Sequence, residues 1–155
     1  MVAVRACEEA DHPALASLMG EMQAHYKVPC PPNADIRAGL ANRPAGTDLL
    51  LAEHDGSIIG FAAFSALYPG PGLRPGFFLK EIYVAQAARG LGAGKALLAE
   101  LARLALARGF GRIDWTAARD DERLLRFYEG LGAKQHPEKV FFRLTGEELA
   151  RLAKD

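Results

Sequence analysis

Leu79-Lys80-Glu81-Ile82-Tyr83-Val84 and, a few residues on, Arg89-Gly90-Leu91-Gly92-Ala93-Gly94-Lys95 form the stretch that decides the fold. The first segment is an apolar run with β-branched and aromatic side chains and reads as a strand. The second is a turn with three glycines. Residues 92–108 are then rich in alanine and leucine, with Leu97, Leu101, Leu104 and Ala105 on one stripe and Gly109 placed to end a long helix. A glycine turn between strand and helix offers unpaired backbone N–H groups at the positive end of the helix dipole, which is an anion site. Residues 112–117 predict a buried strand, so the stretch reads as a strand–helix–strand crossover.

Outward from there, residues 47–53 and 57–67 are apolar runs joined at His54-Asp55-Gly56, and the Asp-Gly pair supplies the positive φ angles of a tight hairpin. Tyr68-Pro69-Gly70-Pro71-Gly72 cannot continue a ladder, and the sheet resumes at residues 77–84. Upstream, Asp11 with Pro13 reads as a helix start, and Leu15, Leu18, Met19 and Met22 carry the helix to about His25. Residues 26–32 are a stiff connector, after which Asn33 caps a short helix bearing Ile36 and Leu40. Downstream, Asp120, Asp121 and Glu122 load acid onto the start of a helix that Gly132 ends. Residues 140–144 predict a last strand, and Thr145 opens a short helix with capping-box spacing. The sum is a single α+β domain over residues 1–155, a mixed, mostly antiparallel sheet flanked by helices with one crossover at the glycine turn.

Nineteen basic and nineteen acidic side chains among 155 residues cancel to zero net charge, which excludes gripping nucleic acid by bulk counterion release. An anion must be held locally. Cys7 and Cys30 are too few for a disulfide framework, and His12, His25, His54 and His136 have no metal spacing, so no metal is expected. Residues 1–11 hold Arg5, Glu8, Glu9 and Asp11 with no apolar run, and nothing in the chain has transmembrane length. The expectation is a soluble, cytoplasmic protein with no membrane or nucleic-acid partner.

The glycine turn fails two familiar templates. A nucleotide-triphosphate loop would need glycine at Arg89 and a hydroxyl at Ala96, and a dinucleotide fingerprint would need glycine at Lys95 or Leu97. What fits is R-x-x-G-x-G, read as Arg89, Gly92 and Gly94. Together with Asp121 and Leu125-Arg126-Phe127-Tyr128-Glu129-Gly130-Leu131-Gly132-Ala133, residues 79–133 resemble the GNAT superfamily of acetyl-CoA-dependent N-acetyltransferases. The resemblance implies acetyl-CoA as co-substrate. It assigns the main chain of Ile82, Tyr83 and Val84 to the pantetheine arm, and the backbone of Arg89, Gly90, Leu91, Gly92, Ala93, Gly94 and Lys95 to the pyrophosphate. Asp121, which the resemblance adds to the coenzyme-binding residues, stands where asparagine is commoner in the family, and Gln86 stands where proline is usual. Arg74-Pro75-Gly76, residues 79–84 and Phe127-Tyr128 look most like the diamine and thialysine type of small-amine acetyltransferase.

An alkyl ammonium has a pKa near 10.4, so holding it neutral at pH 7 costs about 4.6 kcal/mol, part of which a base must supply. Glu81 is the candidate, since alternation places it opposite Lys80 and Ile82 and its carboxylate would relay a proton through water. The plainer reading is a surface carboxylate paired with Lys80. Diamine enzymes usually carry two adjacent acids here, and Lys80 replaces the first. The departing thiolate needs a proton donor, and the resemblance makes Tyr128 that general acid, against a reading as a core tyrosine beside Phe127. A backbone N–H near Ile82 would polarise the acetyl oxygen, and transfer would be direct. Neither cysteine has a local partner that marks a nucleophile. Tyr26, Tyr68 and Lys80 are candidate acceptor-pocket residues, with loop packing the alternative for the tyrosines, and Trp115 reads as core. The expected acceptor is a primary amine of a small molecule. The resemblance implies a homodimer, since dimers are common in that family, and a closed pair using the C-terminal strand is the arrangement expected for this chain. A protein lysine or N-terminus as acceptor, and a non-catalytic acyl-CoA-binding module, stay open.

Overall fold

Strands Ala3–Ala6 (β1), Thr47–His54 (β2), Ser57–Leu67 (β3), Gly76–Val84 (β4) and Ile113–Asp114 (β5) form one sheet in that order. Every pairing is antiparallel except β4 with β5, which is parallel. Helices His12–His25 (α1), Asn33–Ala41 (α2), Ala93–Ala107 (α3), Glu122–Gly130 (α4) and Gly146–Leu152 (α5) complete the chain. The computed structural model describes residues 1–155 and divides into two compact units, Met1–Thr116 and Ala117–Asp155.

In the first unit the apolar residues alternate between two cores. Leu49, Leu51, Phe61 and Tyr83 pack with Leu15, Leu18, Met22 and Leu40 of α1 and α2. Leu50, Ala52, Ala62, Phe64, Phe77 and Leu79 pack with Ala93, Leu97, Leu101 and Ala105 of α3. The continuous apolar run Leu49-Leu50-Leu51-Ala52 follows from this, because both faces of β2 are covered. Leu97 and Leu101 are fully buried, and each such side chain stabilises the fold by about 2 kcal/mol. The β2–β3 hairpin closes with Asp55 at φ 49° and Gly56 at φ 76°, pairing His54 with Ser57, as the Asp-Gly pair requires.

The crossover from β4 through α3 to β5 is present, with a shorter end than expected. The strand anticipated over residues 112–117 is reduced to Ile113–Asp114, because only Phe77 and Phe78 of β4 pair with it. The strand anticipated over residues 140–144 does not form. Val140, Phe141 and Phe142 are 71%, 63% and 87% exposed, and an isolated run without a ladder partner is not a stable strand. β1 was not signalled, since its four residues are too few to show a period. Asp11 precedes α1 as expected, yet its carboxylate accepts from the Arg5 guanidinium at 2.7 and 2.8 Å and from the Glu8 N–H at 2.7 Å. Asn33 is the first residue of α2, and Pro32 holds the cap position. No helix is long and apolar enough to cross a membrane.

Candidate active site

The site grows from a register change in β4. Ala63 pairs with Glu81 and Phe64 with Leu79, so Lys80 is an extra residue, a β-bulge. The bulge reverses the alternation: Leu79 belongs to the α3 core and Tyr83 to the α1–α2 core. Glu81 therefore shares the face of Tyr83, while Ile82 and Val84 pack toward α3. The simple opposition of Glu81 to both neighbours holds for Ile82 and fails at Lys80, which the bulge lifts out of the ladder. Lys80 Nζ instead reaches Glu81 Oε1 at 3.5 Å.

β4 pairs with β3 along its length, from Gly76 to Val84, but with β5 only at Phe77 and Phe78. From Leu79 onward its second edge carries no strand, which leaves main-chain groups there for an extended ligand, with the Val84 C=O already accepting from Arg89. The edge runs into a single 3-10 turn, Gln86–Ala88, and then the glycine turn. Gly90 and Gly92 hold φ angles of 87° and 84°, a left-handed region that disfavours a Cβ. A Cβ built on either glycine would meet nothing within 4 Å, so this face of the turn is open. Gly92 is the N-cap of α3, and the first helical bond is Ala96 N–H to Gly92 C=O at 3.0 Å. The N–H groups of Ala93, Gly94 and Lys95 have no acceptor inside the helix and suit an anion. A pyrophosphate group fits this cradle, and an amide-bearing arm fits the β4 edge.

The side chain of Arg89 is otherwise engaged. Its guanidinium lies 5.6 Å from the Tyr83 ring centroid, and Nε donates to the Val84 C=O at 3.3 Å. Tyr83 in turn donates its phenol to Glu21 of α1 at 2.5 Å, and the same carboxylate accepts from the Gln86 N–H at 3.1 Å. Burial first, and then the Glu21 bond, push the Tyr83 phenol up to about 12, so it stays a neutral donor. The sequence reading did not single out Glu21, the one carboxylate of α1, which is distant in sequence from β4.

Of the acceptor-pocket candidates, Tyr26 ends α1 with its ring 5.1 Å from that of His25, which is 5.9 Å from Tyr83. Tyr68 follows Leu67, whose β4 partner is Gly76, so the register seats it at the end of β4 opposite Val84. It is 71% exposed. Two open clefts, about 750 Å³ beside Glu9, His12 and Arg37 and about 450 Å³ beside Arg74, Phe110 and Arg112, are lined by no residue of the glycine turn. Trp115 packs against the α3 core, as expected. Burial pushes the Cys7 thiol up, away from a reactive thiolate.

In the second unit, Asp121 caps α4, its carboxylate accepting from the Leu124 N–H at 3.1 Å. That bond gives the aspartate a structural task at a position the resemblance assigned to the coenzyme. Tyr128 is the buried residue of α4, with its ring 5.5 Å from that of Phe127.

A strand whose second edge opens after a bulge and leads into a glycine-capped helix start suits an extended ligand that ends in an anion. Residues 13–133 match the model of the acetyltransferase (GNAT) family, and the chain belongs to that family. Its members are acetyltransferases that use acetyl-CoA as co-substrate. Over 101 residues, 65% of this chain and 44% of the other, it is 33% identical to an L-ornithine N5-acetyltransferase of Arabidopsis thaliana. The match thus spans less than half of that relative. A V. cholerae integron cassette protein superposes with a TM-score of 0.89 at 27% identity, covering 99% of this chain and 98% of that one. A ribosomal-protein-alanine N-acetyltransferase from Brucella melitensis biovar Abortus 2308 gives 0.78 at 26% identity, with 92% and 99% covered.

Proposed function

We propose that this enzyme transfers the acetyl group of acetyl-CoA directly to a primary amine of a small molecule of polyamine, amino-acid or aminoglycoside kind, with residues 1–155 acting as one catalytic domain. The observation that carries the reading is the open second edge of β4 leading into the N–H groups of Ala93, Gly94 and Lys95. In this reading the main chain of Ile82, Tyr83 and Val84 holds the pantetheine arm and the turn at residues 89–95 holds the pyrophosphate. A β4 N–H near Ile82 polarises the acetyl oxygen. Glu81 removes the ammonium proton through water, the nitrogen bonds to the acetyl carbon, the carbon–sulfur bond breaks, and Tyr128 protonates the leaving thiolate. The Lys80–Glu81 pair tells against a second ammonium beside Glu81 and favours an acceptor that itself carries a carboxylate, as an amino acid does. The ornithine-acetylating relative supports the same class.

A protein N-terminus is the second reading, favoured by the likeness to the Brucella enzyme. We further propose a homodimer, supported by the uncovered apolar side chains of Val140, Phe141 and Phe142, and a cytoplasmic setting, which suits the free thiols Cys7 and Cys30. The test is calorimetric titration with acetyl-CoA, followed by thiol release in the presence of L-ornithine, other amino acids, polyamines and an alanine-terminated peptide. Micromolar binding with release driven by one small amine establishes the reading. Release with the peptide alone moves the acceptor to protein, binding without release leaves a non-catalytic module, and no binding overturns the site.

A further inference from the structure

Glu21 lies outside both sequence signatures, yet its carboxylate hydrogen-bonds α1 to the end of β4 and to the turn that follows. It accepts from Tyr83 Oη at 2.5 Å and from the Gln86 backbone N–H at 3.1 Å. These donors flank the point where β4 ends and the chain turns toward Arg89. Arg89 closes the other side, stacked at 5.6 Å over the Tyr83 ring and donating to the Val84 carbonyl at 3.3 Å. One carboxylate, one phenol and one guanidinium thus gather where residues 86–92 leave the sheet, beside the backbone bond from Ala85 N–H to Ile59 C=O at 2.7 Å. His25, one turn further along α1, packs against the same tyrosine ring.

We propose that Glu21 is a positioning residue for the coenzyme: through Tyr83 and the Gln86 N–H it holds the exit of β4 in the geometry that aims the residue 89–95 turn at a pyrophosphate group. This rests on the proposed function. Three features make it more than a fold contact. Glu21 itself is exposed, so it supplies little core packing. The bond to Gln86 is to a main-chain donor that any residue except proline would provide, so it acts on backbone position rather than on side-chain identity. An ionised acceptor shared by two donors is stronger than a neutral bond, and it constrains both donors at once.

The test compares Glu21→Ala, Glu21→Gln, Tyr83→Phe and Gln86→Pro with the unaltered enzyme, measuring acetyl-CoA affinity by calorimetry and separate KM and kcat values. Gln86→Pro removes the N–H together with an exposed side chain, and Ala85 at φ −50° and ψ 136° already has the conformation that precedes proline. Glu21→Ala is expected to weaken acetyl-CoA binding and raise its KM by about 5- to 10-fold, with kcat at saturation within about 2-fold. Glu21→Gln, which keeps an acceptor oxygen, should recover most of that loss. Tyr83→Phe and Gln86→Pro should each give part of it, and Glu21→Ala combined with Gln86→Pro should be no worse than Glu21→Ala alone. Should Glu21→Ala misfold, Tyr83→Phe and Gln86→Pro decide alone. Unchanged coenzyme affinity in the folded variants, or equal losses in kcat and thermal stability without a KM effect, overturns the role of Glu21. Failure of the unaltered protein to bind acetyl-CoA overturns the site itself, and this role with it.

Discussion

Residues 76–84 and residues 140–144 are both short apolar runs with aromatic and β-branched side chains. In the first, Gly76–Val84 is a strand, with Phe77 and Leu79 at 1% and 2% exposure and its main chain laddered to β3. In the second, no ladder forms and Phe142 stands 87% exposed. β-propensity records how well a side chain fits a pleated, half-buried surface, so it predicts a strand only where the rest of the chain supplies that surface. β4 has β3 on one side and cores on both faces. Residues 140–144 need a partner, and a second copy of the chain is the proposed one.

The largest effect expected separates a side-chain role in the second unit from a main-chain role in the first. Tyr128→Phe should lower kcat by about 10²- to 10⁴-fold while acetyl-CoA affinity stays put. Unchanged turnover in a thiol-release assay would remove the phenol from the mechanism. Next in size is the contrast between the two apolar runs. Leu101→Ala, in the core against β4, should cost about 3 kcal/mol in chemical denaturation at any protein concentration. Phe142→Ala should cost under about 0.5 kcal/mol in dilute monomer, where surface substitutions are near neutral. In the same variant, sedimentation should show weakened dimerisation; equal association of both proteins would break the proposed pairing. Gly92→Val places a β-branched side chain at φ 84° on the open face of the turn and should weaken acetyl-CoA binding by about 30-fold without loss of helix content by circular dichroism.

The smallest effect tests what holds β1 against the rest of the sheet. The Arg5 guanidinium first, and its charge with it, hold the Asp11 carboxyl down at about 2, while Arg5 also reaches Glu53 at 2.7 Å. Because the folded value lies below the unfolded one near 3.8, this stabilisation is present above pH 3.8 and is lost as pH falls toward 2. After allowance for solvent screening it amounts to about 1 kcal/mol. Acid titration of stability should therefore show a steeper loss between pH 4 and 2 for the native chain than for Arg5→Ala.

Much of this protein is local and so could be read from residue order. The Asp55-Gly56 turn requires φ angles that few other pairs adopt, and it set the hairpin register. The α3 stripe of Leu97, Leu101 and Ala105 repeats at the helical period, and Gly90 and Gly92 mark a turn that needs positive φ. Those elements carry most of the proposed coenzyme side of the site. What required tertiary structure was every feature that depends on a partner remote in sequence. The bulge at Lys80 goes with the pairing of Ala63 and Phe64, and it decides that Glu81 and Tyr83 lie on the face opposite to Phe77 and Leu79. Glu21 meets Tyr83 and Gln86 only because α1 packs on β4, and residues 140–144 fail as a strand only because no ladder reaches them. Propensity, capping and turn chemistry act within a few residues along the chain, whereas ladders, ion pairs and packed faces are set by which surfaces the fold brings together.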